Sequence, residues 1–251
     1  MKELYFADQS RYDNGMEYER CGRSGVLLPK VSLGFWHNFG SVDPYERSRE
    51  ITHYAFDHGI THFDLANNYG PVYGSAEETM GRLLVDIVRQ GKALYVGISN
   101  WPLEPLKFGY EYLKAHDVPL LIYQGRLNML DREPQETGIT DFCAENGIGF
   151  IAFSPLAQGL LTDRYLKCLP ADSRMAKEKF LKSSMLTPEL LEKLKHYNQI
   201  AADRGETLAE MSLAWILHQK AVTSVLVGAS STSQLEKNLK CVKAAPFDGT
   251  F

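Results

Sequence analysis

The stretch Thr61-His-Phe-Asp-Leu-Ala-Asn-Asn-Tyr69, entered from Ile60 and closed by Gly70 and Pro71, decides how the chain is read. An apolar run, Ile60 to Phe63, delivers Asp64 and then, across a polar loop, Tyr69. That order predicts the C-terminal end of a parallel strand, the place where βα proteins carry their chemistry. A tyrosine there can donate a proton. Its reference pKa of about 10 makes it a weak acid until a neighbouring cation lowers it. The sequence around it offers no such cation.

Outward from this strand the pattern repeats. Met16–Cys21 and Val26–Pro29 flank Gly22-Arg23-Ser24-Gly25 and predict a hairpin. Short apolar strands are expected at 30–34, 60–64, 93–98, 119–123, 148–153 and 223–227. Helices are expected at 43–58, 105–116, 138–146, 187–204, 207–219 and 232–242. Asp43 caps the first of these, with Pro44 at its first position and Gly59 past its end. Ser75 and Glu78 form a capping box for a further helix at 76–84, whose tail runs on through 85–90. A polar connection fills 161–185.

Strands alternating with helices predict an α/β protein with a parallel sheet and right-handed crossovers. With no linker-like break, residues 1–251 read as a single domain. Six parallel strands are two short of a closed (β/α)₈ barrel.

The bulk properties bound the function. A length of 251 residues suits one barrel-sized domain, and 44% apolar content fills an ordinary core. A net charge of −4 without a basic run argues against nucleic acid as the partner. Cys21, Cys143, Cys168 and Cys241 lie scattered, without metal-ligand spacing, so a zinc site is not expected. Free thiols, the lack of an export signal and the lack of a long apolar run make a cytoplasmic, membrane-free protein the expectation.

From Leu33 to Leu239 the chain resembles the aldo-keto reductases, nearest to the branch of the bacterial glyceraldehyde-3-phosphate reductases and potassium-channel β subunits. The motifs that carry the resemblance are Leu33-Gly-Phe-Trp-His-Asn-Phe39, Phe63-Asp-Leu-Ala-Asn-Asn-Tyr-Gly70, Gly74-Ser-Ala-Glu-Glu78, Gly91-Lys-Ala-Leu-Tyr-Val-Gly-Ile-Ser-Asn100, Phe153-Ser-Pro-Leu-Ala-Gln-Gly159 and Val227-Gly-Ala-Ser230. The resemblance implies a (β/α)₈ TIM barrel, NADP(H) across its C-terminal mouth, and metal-free reduction of small aldehydes or ketones. Glyceraldehyde 3-phosphate and methylglyoxal typify such substrates.

The family's site combines an aspartate, a tyrosine, a lysine and a histidine. Asp64 and Tyr69 match the first two. The lysine and histidine belong to the ends of strands three and four, and both strands are missing, with the junction near 84–86. Lys92 and Lys30 precede their strands and so lie at the wrong rim. An incomplete or rearranged barrel of about six βα units is therefore expected. Its exposed sheet edges offer a route to a homo-oligomer.

By the same resemblance, Ser99, Asn100 and Gln124 hold the nicotinamide carboxamide. Phe153 either stacks on the ring or serves as a wall aromatic. Ser154, Leu156, Gln158 and Gly159 line the pyrophosphate, and Gly228, Ser230, Gln234 and Asn238 take the adenosine end. Ser231 stands where relatives often carry a basic residue, which leaves NAD open beside NADP. Trp36 and Tyr73 wall the substrate pocket, and His37 either shapes the wall or faces substrate. Arg126 either contacts an anionic substrate or makes a surface salt bridge, His62 faces the core, and Trp215 is core.

Three functions stay open. One is an NADP-dependent carbonyl reductase with impaired activity. Another is a non-catalytic NADP(H)-binding or interaction protein. The third is a partial product without a stable native state.

Overall fold

The computed structural model describes residues 8–34, 45–64, 95–166 and 186–247, with the backbone alone at Tyr45, Glu46, Ser48, Arg49, Phe63 and Asp64. Trp36, His37, Tyr69, Tyr73, Lys92, Cys168, the expected helix at 76–90 and the 84–86 junction lie outside the described residues.

The chain opens with a hairpin, β1 (Tyr18–Arg20) and β2 (Leu27–Pro29). Parallel strands then alternate with helices: β3 (Val31–Gly34), α1 (Tyr45–Asp57), β4 (Phe63–Asp64), β5 (Val96–Ser99), α2 (Leu103–Ala115) and β6 (Leu120–Arg126). They continue with α3 (Glu133–Glu136), α4 (Ile139–Asn146), β7 (Gly149–Phe153), α5 (Pro188–Asp203), α6 (Leu208–Leu217), β8 (Val222–Val227) and α7 (Thr232–Leu239).

All six parallel strands join one sheet in the order β4-β3-β8-β7-β6-β5. The first and last parallel strands, β3 and β8, are therefore neighbours, with Val31 opposite Val225 and Leu33 opposite Val227. An open doubly wound sheet leaves its chain ends apart, whereas a barrel brings them together. Among the described residues each of β4 and β5 has a single neighbour, so the ring they show is interrupted between these two strands. The described architecture is that of an incomplete barrel with six parallel strands.

The two faces of the sheet bury different material. The outer face packs Leu33, Phe150, Ala152 and Val225 against the helices in one large core, with Trp215 inside it at 5% exposure. The inner face is plugged at its N-terminal end by the hairpin, where Cys21 and Leu28 meet Leu121 and Ile151. Gly149 opens β7 beneath the plug, and a Cβ there would collide with the Cys21 sulfur. Gly22 makes the corresponding approach from the hairpin, at φ +56° against the Gly147 carbonyl. Only glycine meets both demands at little cost.

Several boundaries differ from expectation. Strand β4 pairs only over Phe63 and Asp64, opposite Leu33 and Gly34. His62 therefore precedes the strand, half-buried, with its carbonyl accepting from the Leu33 N–H at 3.2 Å. Strand β6 runs three residues past Tyr123, because Gln124, Gly125 and Arg126 pair with Ile151, Ala152 and Phe153. Helix α2 starts at Leu103, so Pro105 sits in the first turn, where its missing N–H has no intrahelical partner to lose. The short turn α3 was not anticipated; Pro134 lies in its first turn. Among the described residues no helix is long and apolar enough to cross a membrane.

Candidate functional site

The C-terminal ends of β5, β6, β7 and β8 lie side by side, and the twelve expected cofactor residues fall on them and on the segments that follow. Register decides which side chains share a face. Tyr123 and Gly125 face the helices: Tyr123 donates to the Trp101 carbonyl at 2.7 Å, and a Cβ on Gly125 would meet the Phe150 ring at 2.8 Å. Gln124 and Arg126 therefore belong to the inner face.

On that face Ser99 lies opposite Gln124, and Gln124 opposite Ile151. One step further toward the mouth, Arg126 lies opposite Phe153. Asn100 leaves β5 with φ 58° and donates its N–H to the Gln124 carbonyl at 3.1 Å. Ser99, Asn100 and Gln124 thus form one polar group, with the half-buried Phe153 one rung above. Amide and hydroxyl groups at this spacing suit a planar carboxamide, which both donates and accepts.

Past β7 the backbone is unusual. Ser154, Ala157 and Gln158 all have positive φ, at 51°, 45° and 58°, followed by Gly159 at 102°. Three non-glycine residues in the left-handed region within one loop cost energy that the surroundings must hold in place. Part of that hold is visible. Asn128 Nδ2 donates to the Ser154 carbonyl at 3.1 Å, Ala157 N–H donates to the same carbonyl at 2.9 Å, and Thr162 Oγ1 donates to the Gly159 carbonyl at 2.7 Å. Within the loop the N–H groups of Gly159, Leu160 and Leu161 donate to the carbonyls of Leu156, Ala157 and Leu156, which keeps it tightly folded at the mouth.

At the end of β8, Gly228 has open space where a Cβ would be. Ser230 donates to Gln234 Oε1 through both its N–H, at 2.9 Å, and its hydroxyl, at 3.0 Å. Ser231 caps α7, its hydroxyl accepting from the Gln234 N–H at 3.2 Å. Asn238 is buried at 3% exposure, and among the described residues its Nδ2 has no hydrogen-bond partner. A buried amide donor left unpaired costs about 1–3 kcal/mol, so this Nδ2 is a place where an added acceptor would be favourable. The chemistry of this rim fits a nicotinamide dinucleotide: paired amide and hydroxyl groups, an aromatic, a strained loop, an open glycine and a buried amide donor, in that order around the sheet.

The proton-delivering half is less fully placed. Asp64 is opposite Gly34 at the end of β4, and Tyr69 follows outside the described residues. Lys30 precedes β3 and binds Glu19 at 2.9 Å at the opposite rim, as its position in the sequence implied. Tyr123 does not stand in as a proton donor, because burial pushes its phenol pKa well up. Arg126 does make a salt bridge, Nε to Asp131 Oδ2 at 2.6 Å. Sequence reasoning overlooked the turn Asn128–Asp131, in which the buried Asn128 accepts from the N–H groups of Leu130 and Asp131 at 2.9 and 3.0 Å. The Asn-x-x-Asp spacing was its signal.

Comparison with known proteins supplies the rest. The family model for the aldo/keto reductase family matches residues 30–86 and again 82–250. The L-glyceraldehyde 3-phosphate reductase of Escherichia coli is 39% identical over 97% of this chain and 92% of its own length. That alignment spans 320 positions, more than the chain has residues. Probable voltage-gated potassium channel β subunits of Arabidopsis thaliana and Oryza sativa subsp. japonica are 27% and 24% identical, each over 92% of both chains.

Proposed function

This chain belongs to the aldo/keto reductase family, and from that premise we propose that it binds NADP(H) on the rim of β5–β8 and reduces small aldehydes. Glyceraldehyde 3-phosphate and methylglyoxal are the substrates proposed, the former being the one named for the bacterial relative. The observation that carries the proposal is the shared rung of Ser99 and Gln124 with Phe153 one step above it.

When bound, the cofactor supplies the hydride. The chain's own task is to hold and aim it. Ser99, Asn100 and Gln124 fix the carboxamide, Phe153 covers one ring face, Ser154 to Gly159 hold the pyrophosphate, and Asn238 gives its free donor to the adenosine end. Tyr69 is the proton donor, and Asp64 is the acid of the same sequence motif.

Turnover is expected to be slow. The family match breaks and resumes within residues 82–86, which supports the loss of strands three and four there, with the lysine and histidine. Without the lysine the proton donor lacks the family's activating cation, and general-acid help worth ~10²–10⁴-fold is largely forfeited. Orientation of the cofactor survives and still favours hydride transfer. The same break supports a second function, a non-catalytic NADP(H)-binding protein.

Titration with NADPH, followed by quenching of its fluorescence, alongside turnover of methylglyoxal and glyceraldehyde 3-phosphate, separates the two. Phe153→Ala and Asn238→Leu should each weaken NADPH binding about tenfold, the equivalent of ~1.4 kcal/mol. Tyr69→Phe should abolish turnover and leave binding intact. Binding without turnover in the unaltered protein selects the second function. No binding of NADPH sinks both.

A further inference from the structure

Arg126 is not among the expected cofactor residues, yet it lies on the inner face of the sheet at the mouth, opposite Phe153 and two residues beyond Gln124. At ~3.3 Å per residue, it stands roughly 7 Å further along the strand than Gln124. A nicotinamide clamped at Ser99 and Gln124 and covered by Phe153 would have the Arg126 side chain over the space where substrate enters.

Its environment is built rather than incidental. Asp131 Oδ2 holds the guanidinium at Nε, at 2.6 Å. Asp131 is itself tied into the Asn128 turn: its N–H donates to the Asn128 carbonyl at 3.2 Å, and its carbonyl accepts from the Asn128 N–H at 3.0 Å. Asn128 in turn holds the Ser154 carbonyl at 3.1 Å. The clamp thus ties Arg126 to the strained loop at the cofactor rim.

The side chain is nevertheless 61% exposed, against 28% for Asp131. Among the described residues Arg126 makes no further ion pair, which leaves its two Nη groups available for a planar fork toward a ligand. That geometry matches phosphate or carboxylate bidentately, as a lysine would not.

Resting on the reductase function proposed above, we infer that Arg126 binds the phosphate of the substrate and so selects phosphorylated aldehydes, with Asp131 as its positioning residue. The phosphate chemistry has two sources at this mouth, substrate and the cofactor's own pyrophosphate. Arg126 is assigned to substrate because the rim from Ser154 to Gly159 already serves the pyrophosphate.

The test compares glyceraldehyde 3-phosphate with glyceraldehyde, the same aldehyde without the anion. In Arg126→Ala the ratio of their kcat/KM values should fall about 30-fold, chiefly through KM for the phosphorylated substrate. Arg126→Lys should recover part of that loss, and Asp131→Asn should raise the same KM about fivefold with kcat little changed. NADPH affinity, measured in parallel, should move less than twofold. An unchanged ratio overturns the inference, and so does a tenfold loss of NADPH affinity, which would assign Arg126 to the cofactor.

A readout without turnover keeps the test independent of the reductase function. Glycerol 3-phosphate, added to the NADPH-loaded protein, should perturb the bound cofactor's fluorescence saturably, and glycerol should not. Arg126→Ala should remove that response. If it does while no aldehyde is reduced, the anion site stands and the reductase function fails. If the unaltered protein gives no response to glycerol 3-phosphate, the anion site fails.

Discussion

Strands β7 and β4 belong to one sheet and share almost nothing else. Strand β7 pairs with β6 on one side and β8 on the other, and four of its five residues are buried. Strand β4 pairs at two residues with one neighbour. The first supports the rim proposed for the cofactor, and the second ends at Asp64, the acid of the motif that contains the proposed proton donor. In a (β/α)₈ barrel each strand contributes its own loop to the mouth, so removing two strands deletes two loops and leaves the others in place. On the proposed function, holding a dinucleotide would draw on β5 to β8, while moving a proton would draw on the side of the ring that β4 begins.

The sharpest way to break this contrast is to damage β7. Phe150 is fully buried on its outer face, its ring 5.6 Å from that of Tyr123 and packed beneath Gly125. Phe150→Ala should cost about 3–5 kcal/mol, lost transfer energy plus the cavity left behind. Urea unfolding followed by tryptophan fluorescence and by far-UV circular dichroism measures it. With Trp36, the third tryptophan, replaced by Phe in every variant, Trp101 just after β5 and Trp215 in α6 make fluorescence report on the β5–β8 side. If dichroism is lost at lower urea than fluorescence, the two sides of the ring unfold separately. Coincident curves would show one cooperative unit despite the interruption.

The contrast was partly legible in the sequence. The apolar runs at 30–34, 148–153 and 223–227 show themselves because both faces of a parallel strand are covered. The extension of β6 was hidden for a physical reason. Gln124-Gly125-Arg126 reads as a loop by composition, but Gly125 is small because Phe150 fills the space of its side chain. Gln124 and Arg126 are polar because they face the mouth rather than the core. The polarity that conceals the strand end is the feature that makes it a site. The shortness of β4 was equally invisible, since Ile60 is fully buried and apolar without being paired in the sheet.

The thiols compare the hairpin plug with the outer core. Burial pushes Cys21 in the plug up to about 11, and Cys143 and Cys241 in the outer core up to about 12. Each thiol is therefore neutral in the folded state over a range where the unfolded chain ionises, from a reference of about 8.5. A raised folded pKa gives stability that is complete below the unfolded value and lost as pH rises toward the folded one. Between pH 8 and pH 10 each thiol should remove roughly 2 kcal/mol, at ~1.4 kcal/mol per unit. Urea midpoints at the two pH values measure the total, and Cys143→Ala should return one share. The Cys21 share should level off about one unit earlier than the others, and equal shares up to pH 12 would mean that the plug is as tightly closed as the core.

The smallest effect tests whether local signals or packing hold the cofactor side. Helix α6 begins with a complete capping box, in which Thr207 accepts from the Glu210 N–H at 3.2 Å and Glu210 accepts from the Thr207 N–H at 2.7 Å. Helix α2, which follows β5, starts at Leu103 with Pro102 at the cap position and no side-chain cap. Thr207→Ala leaves the Glu210 N–H without its acceptor and should cost about 1 kcal/mol in urea unfolding. Pro102→Ser supplies α2 with the acceptor it lacks and should return a few tenths of that, provided the first turn is already formed. A gain at Pro102 as large as the loss at Thr207 would mean that α2 is held mainly by its own end. A gain near zero would mean that Leu106 and Leu113, both buried against the sheet, already fix the helix next to the open edge.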